Sequence, residues 1–203
     1  KPAPTPASIS TPERIEYKAA PIGFASGEVR GTVRMRDKGA EGTIVLIEEP
    51  PPGAPLNPGR RVELTIERMQ LAQRVWLLHT NDEIQLRNGD AVLHTAHVYL
   101  QNKAIANEPL PPQSGAHTLR PLEPGIYTLK CANHSNESAT LVVADHPYAA
   151  RTDKDGSFVI PGVPAGHLKL KAVSEYGIAS QTADLIGGAT LNISFELTPI
   201  TKE

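Results

Sequence analysis

Leu122-Glu123-Pro124-Gly125-Ile126-Tyr127-Thr128-Leu129-Lys130-Cys131-Ala132-Asn133-His134 is the stretch on which the reading of this chain turns. Pro124-Gly125 punctuates the backbone, and a strand begins directly after it. Gly125–Lys130 alternates apolar and polar residues and carries Ile, Tyr and Thr, which suit a pleated, half-buried surface. Working outward, similar short runs recur at Glu28–Arg34, Gly42–Ile47, Arg61–Glu67, Arg74–Leu78, Glu83–Arg87, His97–Gln101, Ala139–Val143, Ser157–Ile160, His167–Val173 and Leu191–Leu197. No long segment has a 3.6-residue period. With 19 Pro and 16 Gly between the runs, the pattern is that of an all-β sandwich or barrel. One helical turn is expected at Lys103–Asn107. Asp155-Gly156 is expected to close a hairpin.

The 203 residues carry a formal net charge of −2, with 39% hydrophobic and 21% charged residues. That balance is ordinary for a globular chain. It does not favour nucleic acid, whose binders concentrate Lys and Arg to displace counterions. No basic run exceeds Arg60-Arg61, and no apolar stretch approaches the length of a membrane span. The opening Lys1-Pro2-Ala3-Pro4-Thr5-Pro6-Ala7-Ser8 reads as an extended spacer, assigned to residues 1–21. An export signal or anchor is expected to precede it, which would place the protein in the periplasm or elsewhere outside the cytoplasm, tethered through this spacer. Cys131 is the single cysteine. Outside the cytoplasm a lone thiol survives when it is buried or held by a metal.

Three fragments resemble the cupredoxin family of plastocyanin and azurin, and follow the bacterial cupredoxin-domain proteins of the methylamine-utilisation type. They are Asn88-Gly89-Asp90-Ala91-Val92-Leu93-His94, the Leu122–His134 stretch, and Leu141-Val142-Val143-Ala144-Asp145-His146-Pro147-Tyr148. The family pattern is an Asn-x-Asp turn followed by a His, then a Pro-Gly-x-Tyr strand ending in Cys-x-x-His. The resemblance implies a Greek-key β-sandwich over residues 57–148. The flanking segments, Gly27–Val33 with Gly39–Leu46 and Thr152–Leu170 running on to Leu197, resemble the halves of a carboxypeptidase-regulatory-like (transthyretin-type) sandwich. The expected organisation is a discontinuous outer domain, 22–50 plus 149–199, with the cupredoxin domain inserted in it or packed beside it. The other arrangement is that 22–50 adds strands to the cupredoxin.

The resemblance implies one copper ion held by His94, Cys131 and His134. Copper in electron-transfer sites favours one thiolate and two imidazoles with a weak axial donor. A tight loop after the strand can present Cys131 and His134 together, and His94 can arrive from a neighbouring strand. Spacing alone leaves zinc open. The family places an axial Met three residues after the second His; here that position is Glu137. Two roles stand open for it: a coordinating carboxylate, which would favour Cu(II), lower the potential and shift the colour away from blue, or a solvated surface acid. If Glu137 faces solvent, the site is three-coordinate or takes water or His97 as its further donor, although His97, three residues after His94, falls on the opposite face of an extended strand. His79, His117, His146 and His167 read as surface residues, and Trp76, Met35 and Met69 as packing.

The expected function is electron transfer, not enzymatic catalysis, with a redox partner protein or an envelope complex. The alternatives are a structural or interaction subunit of an envelope complex with a degenerate site, or copper storage and delivery.

Overall fold

A computed structural model describes residues 25–50, 54–119, 122–134 and 137–198. The 1–21 spacer and Pro51–Gly53 lie outside the described residues. The described residues form strands and turns without a helix. The first three strands are β1 (Ser26–Met35), β2 (Lys38–Gly39) and β3 (Ile44–Ile47). A central group follows: β4 (Arg61–Glu67), β5 (Gln70–Leu71), β6 (Val75–His79), β7 (Glu83–Asn88), β8 (His94–Leu100), β9 (Lys103–Leu110), β10 (His117–Thr118), β11 (Gly125–Cys131) and β12 (Ser138–Ala144). The last five are β13 (Ala149–Arg151), β14 (Ser157–Pro164), β15 (Gly166–Ser174), β16 (Gly177–Leu185) and β17 (Thr190–Glu196).

The central strands make two sheets, ordered β10-β7-β4-β5 and β6-β12-β11-β8-β9. In each, one pair is parallel (β4 with β7, β12 with β6) and the others run antiparallel. Their inner faces enclose Leu64, Leu78, Leu86, Val98, Leu129 and Leu141. The alternation read from the sequence explains this: in β11, Tyr127, Leu129 and Cys131 point inward while Thr128 and Lys130 face out.

The terminal strands make two further sheets, β14-β1-β17 with β2 on β1, and β13-β3-β15-β16. Among the described residues, β1 pairs with β2, β14 and β17 and β3 pairs with β13 and β15, and neither pairs with a central strand. β1 and β17 run parallel, Gly31 opposite Ile193, so closely that a β-carbon on Gly31 would sit 1.6 Å from the Ile193 carbonyl oxygen. Phe158 and Phe195 meet in the core between these sheets, with centroids 6.4 Å apart.

β3 joins the two sandwiches. Ile44-Val45-Leu46-Ile47 is an unbroken apolar run, buried at every position, as expected for a strand covered on both faces. Val45 and Ile47 pack into the terminal sandwich. Ile44 and Leu46 pack against Val75, Val142 and Val173, where the sandwiches meet. Arg151 bridges the same seam, donating to the carbonyls of Val75 at 2.5 Å and Gly42 at 3.1 Å.

Two local expectations are corrected. Lys103–Asn107 is strand, not helix: a two-residue turn at Gln101-Asn102, with Gln101 at φ 55°, folds β9 back along β8. Cross-strand pairing overrides the weak local helix preference. Asp155-Gly156 does form a tight turn, Gly156 at φ 83° and donating to the Asp153 carbonyl at 2.9 Å. The flanking strands, however, belong to different sheets, so the turn carries the chain across the sandwich.

Candidate metal centre

The site sits at one end of the central sandwich, where β8 begins and β11 ends. Asn88 closes β7 and is 4% exposed. Its amide donates to the Val92 carbonyl at 2.7 Å and the Leu110 carbonyl at 2.8 Å, and its oxygen accepts the Asp90 N–H at 2.8 Å. One side chain therefore fixes the turn that delivers His94 to the core, where it is fully buried.

Cys131 arrives from β11, antiparallel to β8. Beyond it the chain loops and returns: the Cys131 N–H donates to the Glu137 carbonyl at 3.0 Å, and the Glu137 N–H to the His134 carbonyl at 3.3 Å. Ala132 N–H bonds the Thr95 carbonyl at 2.9 Å, and the Asn133 amide bonds the Leu93 carbonyl at 3.2 Å. The loop is thereby tied to the β8 entry, and Glu137 is folded under it.

Four donors converge. One ligand-type atom from each of His94, Cys131, His134 and Glu137 lies within 4.8 Å of the other three. Cys131 Sγ is 3.7 Å from His94 Nδ1 and 3.5 Å from His134 Nδ1. Glu137 Oε2 is 2.8 Å from His94 Nδ1, and Oε1 is 3.2 Å from His134 Nδ1. The two rings stand 4.9 Å apart and are tilted by 58°. His94 and Glu137 are closed to solvent, whereas the His134 side chain is 25% exposed.

Glu137 is 1% exposed, so it is not a solvated surface acid. Its Oε1 lies near His134 but off the line of a hydrogen bond and has no hydrogen-bond partner. A buried carboxylate with an unpaired oxygen is costly unless a cation meets it. A thiol, two imidazole nitrogens and this carboxylate facing one point fit a transition-metal ion, and the mixed N, O and S set suits copper or zinc.

On its other side His94 meets Asp90, with Nε2 3.1 Å from Oδ2. Asp90 also accepts the N–H groups of Arg68 at 2.7 Å and Met69 at 2.9 Å. Partial burial opposes ionisation of Asp90, but the Met69 and Arg68 amides and His94 outweigh it and hold the carboxyl below its ordinary value. In the sequence Asp90 is legible only as part of the Asn88-Gly89-Asp90 turn, with no role for its carboxylate. Its place four residues before His94 is the signal that could have found it.

The remaining histidines divide. His97 lies on the opposite face of β8 from His94, its Nδ1 3.0 Å from the Tyr99 hydroxyl. His79 and His146 are buried, contrary to the surface reading. His79 N–H donates to Asp82 Oδ2 at 2.8 Å. His146 Nδ1 accepts the Tyr148 N–H at 3.1 Å, and the two rings stack. His146 lies against the backbone of Ile47 in β3, and the His79 ring lies 3.7 Å from Asp82 Oδ2, so neighbours distant in sequence or folded back by a turn cover both rings. His117 and His167 do reach solvent, beside Ser114 and Asp184.

No protein-family model matches the sequence, and comparison with curated proteins finds no relative. Among solved structures the chain is similar to cupredoxins. A methionine-to-alanine variant of amicyanin in its Cu(I) form aligns at 20% identity and a TM-score of 0.38, over 41% of this chain and 82% of that one. A second such variant aligns at 20% identity and 0.38, over 51% and 100%. A purple cupredoxin from Nitrosopumilus maritimus aligns at 18% identity and 0.35, over 40% and 98%. At scores this low, the functional reading rests on the side chains described above.

Proposed function

We propose that this chain is a mononuclear copper protein that carries electrons and is not an enzyme, with His94, Cys131, His134 and Glu137 as the ligands. The observation that carries the reading is the convergence of one thiol, two imidazole nitrogens and a buried carboxylate, one of whose oxygens makes no hydrogen bond, at one point. Copper bound there would supply one-electron exchange between Cu(I) and Cu(II). The protein's part is to hold the donors still, and the Asn88 clamp and the Cys131–Glu137 loop closure do so from backbone-anchored positions. Glu137, a harder donor than a thioether, favours Cu(II) and a low potential. His134, with part of its ring at the surface, offers the edge through which an electron leaves.

Residues 57–148 form the copper domain in this reading, and 22–50 plus 149–199 form a discontinuous carboxypeptidase-regulatory-like sandwich beside it. The pairing of β1 and β3 with strands beyond residue 149 supports that division. A location outside the cytoplasm and a redox partner protein complete the proposal. The test is titration of metal-free protein with Cu(II), followed optically. An intense thiolate-to-copper band saturating at one ion per chain, and lost in Cys131→Ala, is expected. Tight zinc binding without any copper charge-transfer band would replace this reading with a zinc site.

A further inference from the structure

His94 is held from two sides. Nδ1 faces the donor cluster, and Nε2 lies 3.1 Å from Asp90 Oδ2. The Asp90 carboxylate is itself fixed by two consecutive backbone amides: Oδ1 accepts from Arg68 and Oδ2 from Met69. Arg68 and Met69 both adopt left-handed backbone, at φ 54° and 61°. Two adjacent non-glycine residues hold that conformation only where the surroundings enforce it. Here the tight turn between β4 and β5 aims both amides at one side chain, and that side chain meets a buried imidazole. Asn88 secures the backbone of the same residue by accepting the Asp90 N–H. This is more apparatus than a turn cap needs.

We infer that Asp90 is a positioning residue of the metal centre: its carboxylate keeps His94 protonated at Nε2, directs Nδ1 at the metal and strengthens that nitrogen as a donor. The inference rests on the copper reading and extends it. A metal-bound imidazole whose far N–H meets a carboxylate is oriented and made more basic, and a more basic nitrogen favours Cu(II) over Cu(I). Asp90 then acts in the same direction as Glu137, but through His94. The negative charge separates this role from a merely structural one. An amide with its oxygen in the place of Oδ2 could still accept from Met69 and His94 and hold the ring, losing the Arg68 hydrogen bond and the charge.

The experiment compares full-length wild type with Asp90→Asn and Asp90→Ala, each loaded with copper, by optical and electron paramagnetic resonance spectroscopy and by reduction potential. Asp90→Asn is expected to keep one copper and the thiolate band while its preference for Cu(II) over Cu(I) falls about tenfold, which raises the potential by about 59 mV. Asp90→Ala is expected to change the paramagnetic spectrum as well, because the ring loses its anchor. A potential unchanged in Asp90→Asn would overturn the inference and reduce Asp90 to a turn cap. Should the variants fail to fold, the nitrogen NMR spectrum of wild-type Cu(I) protein decides: protonated Nε2 with metallated Nδ1 supports the inference, and the reverse assignment overturns it. Absence of the thiolate band in wild type would instead defeat the copper reading itself.

Discussion

Asn88→Ala should destabilise the metal-free protein by about 2–3 kcal/mol. The side chain is 4% exposed and makes three hydrogen bonds, two donated and one accepted, each of 2.7–2.8 Å. A typical intramolecular hydrogen bond contributes roughly 1 kcal/mol net, and a buried group left without a partner costs about 1–3 kcal/mol. The three losses differ. Val92 is half exposed and Asp90 lies at the edge of the site, so water can reach their backbone groups. Leu110 is fully buried, and its carbonyl would be stranded in the core. The estimate is therefore one full penalty of about 2 kcal/mol plus a fraction of the other two. Asn88→Asp should be worse, because a carboxylate cannot donate to either carbonyl and brings a charge against both. Urea denaturation reads this as a lower midpoint at unchanged slope. A loss under about 0.5 kcal/mol, or Asn88→Asp as stable as wild type, would refute the claim that this side chain organises the turn.

Gly31→Ala would drive a β-carbon into the Ile193 carbonyl and is expected to lower stability by about 3 kcal/mol or more; an unchanged urea midpoint would contradict the parallel pairing of the first and last strands. Burial pushes His146 below its ordinary imidazole value, outweighing the opposing pull of Asp145. The unfolded chain then takes up a proton that the folded ring refuses, so this contribution to stability is complete above about pH 6.5 and is lost as the pH falls below it. His146→Gln should flatten the dependence of the urea midpoint between about pH 5 and 7, and an identical slope in the variant would count against a buried neutral ring. Glu137→Met replaces a hard donor by a soft one and is expected to raise the copper potential and move the colour towards blue, checked by voltammetry and optical spectroscopy.

The strands were legible because their alternation is strong and their turns are marked. Arg61–Glu67 was read with the bounds it adopts, and Gly125–Lys130 differs by one residue at its end. What was misread depends on tertiary partners. Lys103–Asn107 becomes a strand because β8 pairs with it. Asp155-Gly156 has hairpin chemistry, but sheet membership is decided by β1 and β3, more than a hundred residues earlier. His79 and His146 are buried beside Asp82 and the Ile47 backbone respectively, which the alternation of their own segments does not announce. At the site, the four candidate donors named from the sequence do converge. The burial of Glu137 could not be read, because it follows from the hydrogen bond between the Cys131 N–H and the Glu137 carbonyl. Nor could the Arg68 and Met69 amides on Asp90 be read, since that contact crosses between strands.

Extended X-ray absorption at the copper edge of the loaded protein is the decisive measurement. The account predicts one sulfur, two imidazole nitrogens and a carboxylate oxygen in the inner coordination sphere, and loss of the sulfur alone in Cys131→Ala. A spectrum of nitrogen and oxygen without sulfur, identical in wild type and variant, would mean that the thiol and the two rings do not share an ion.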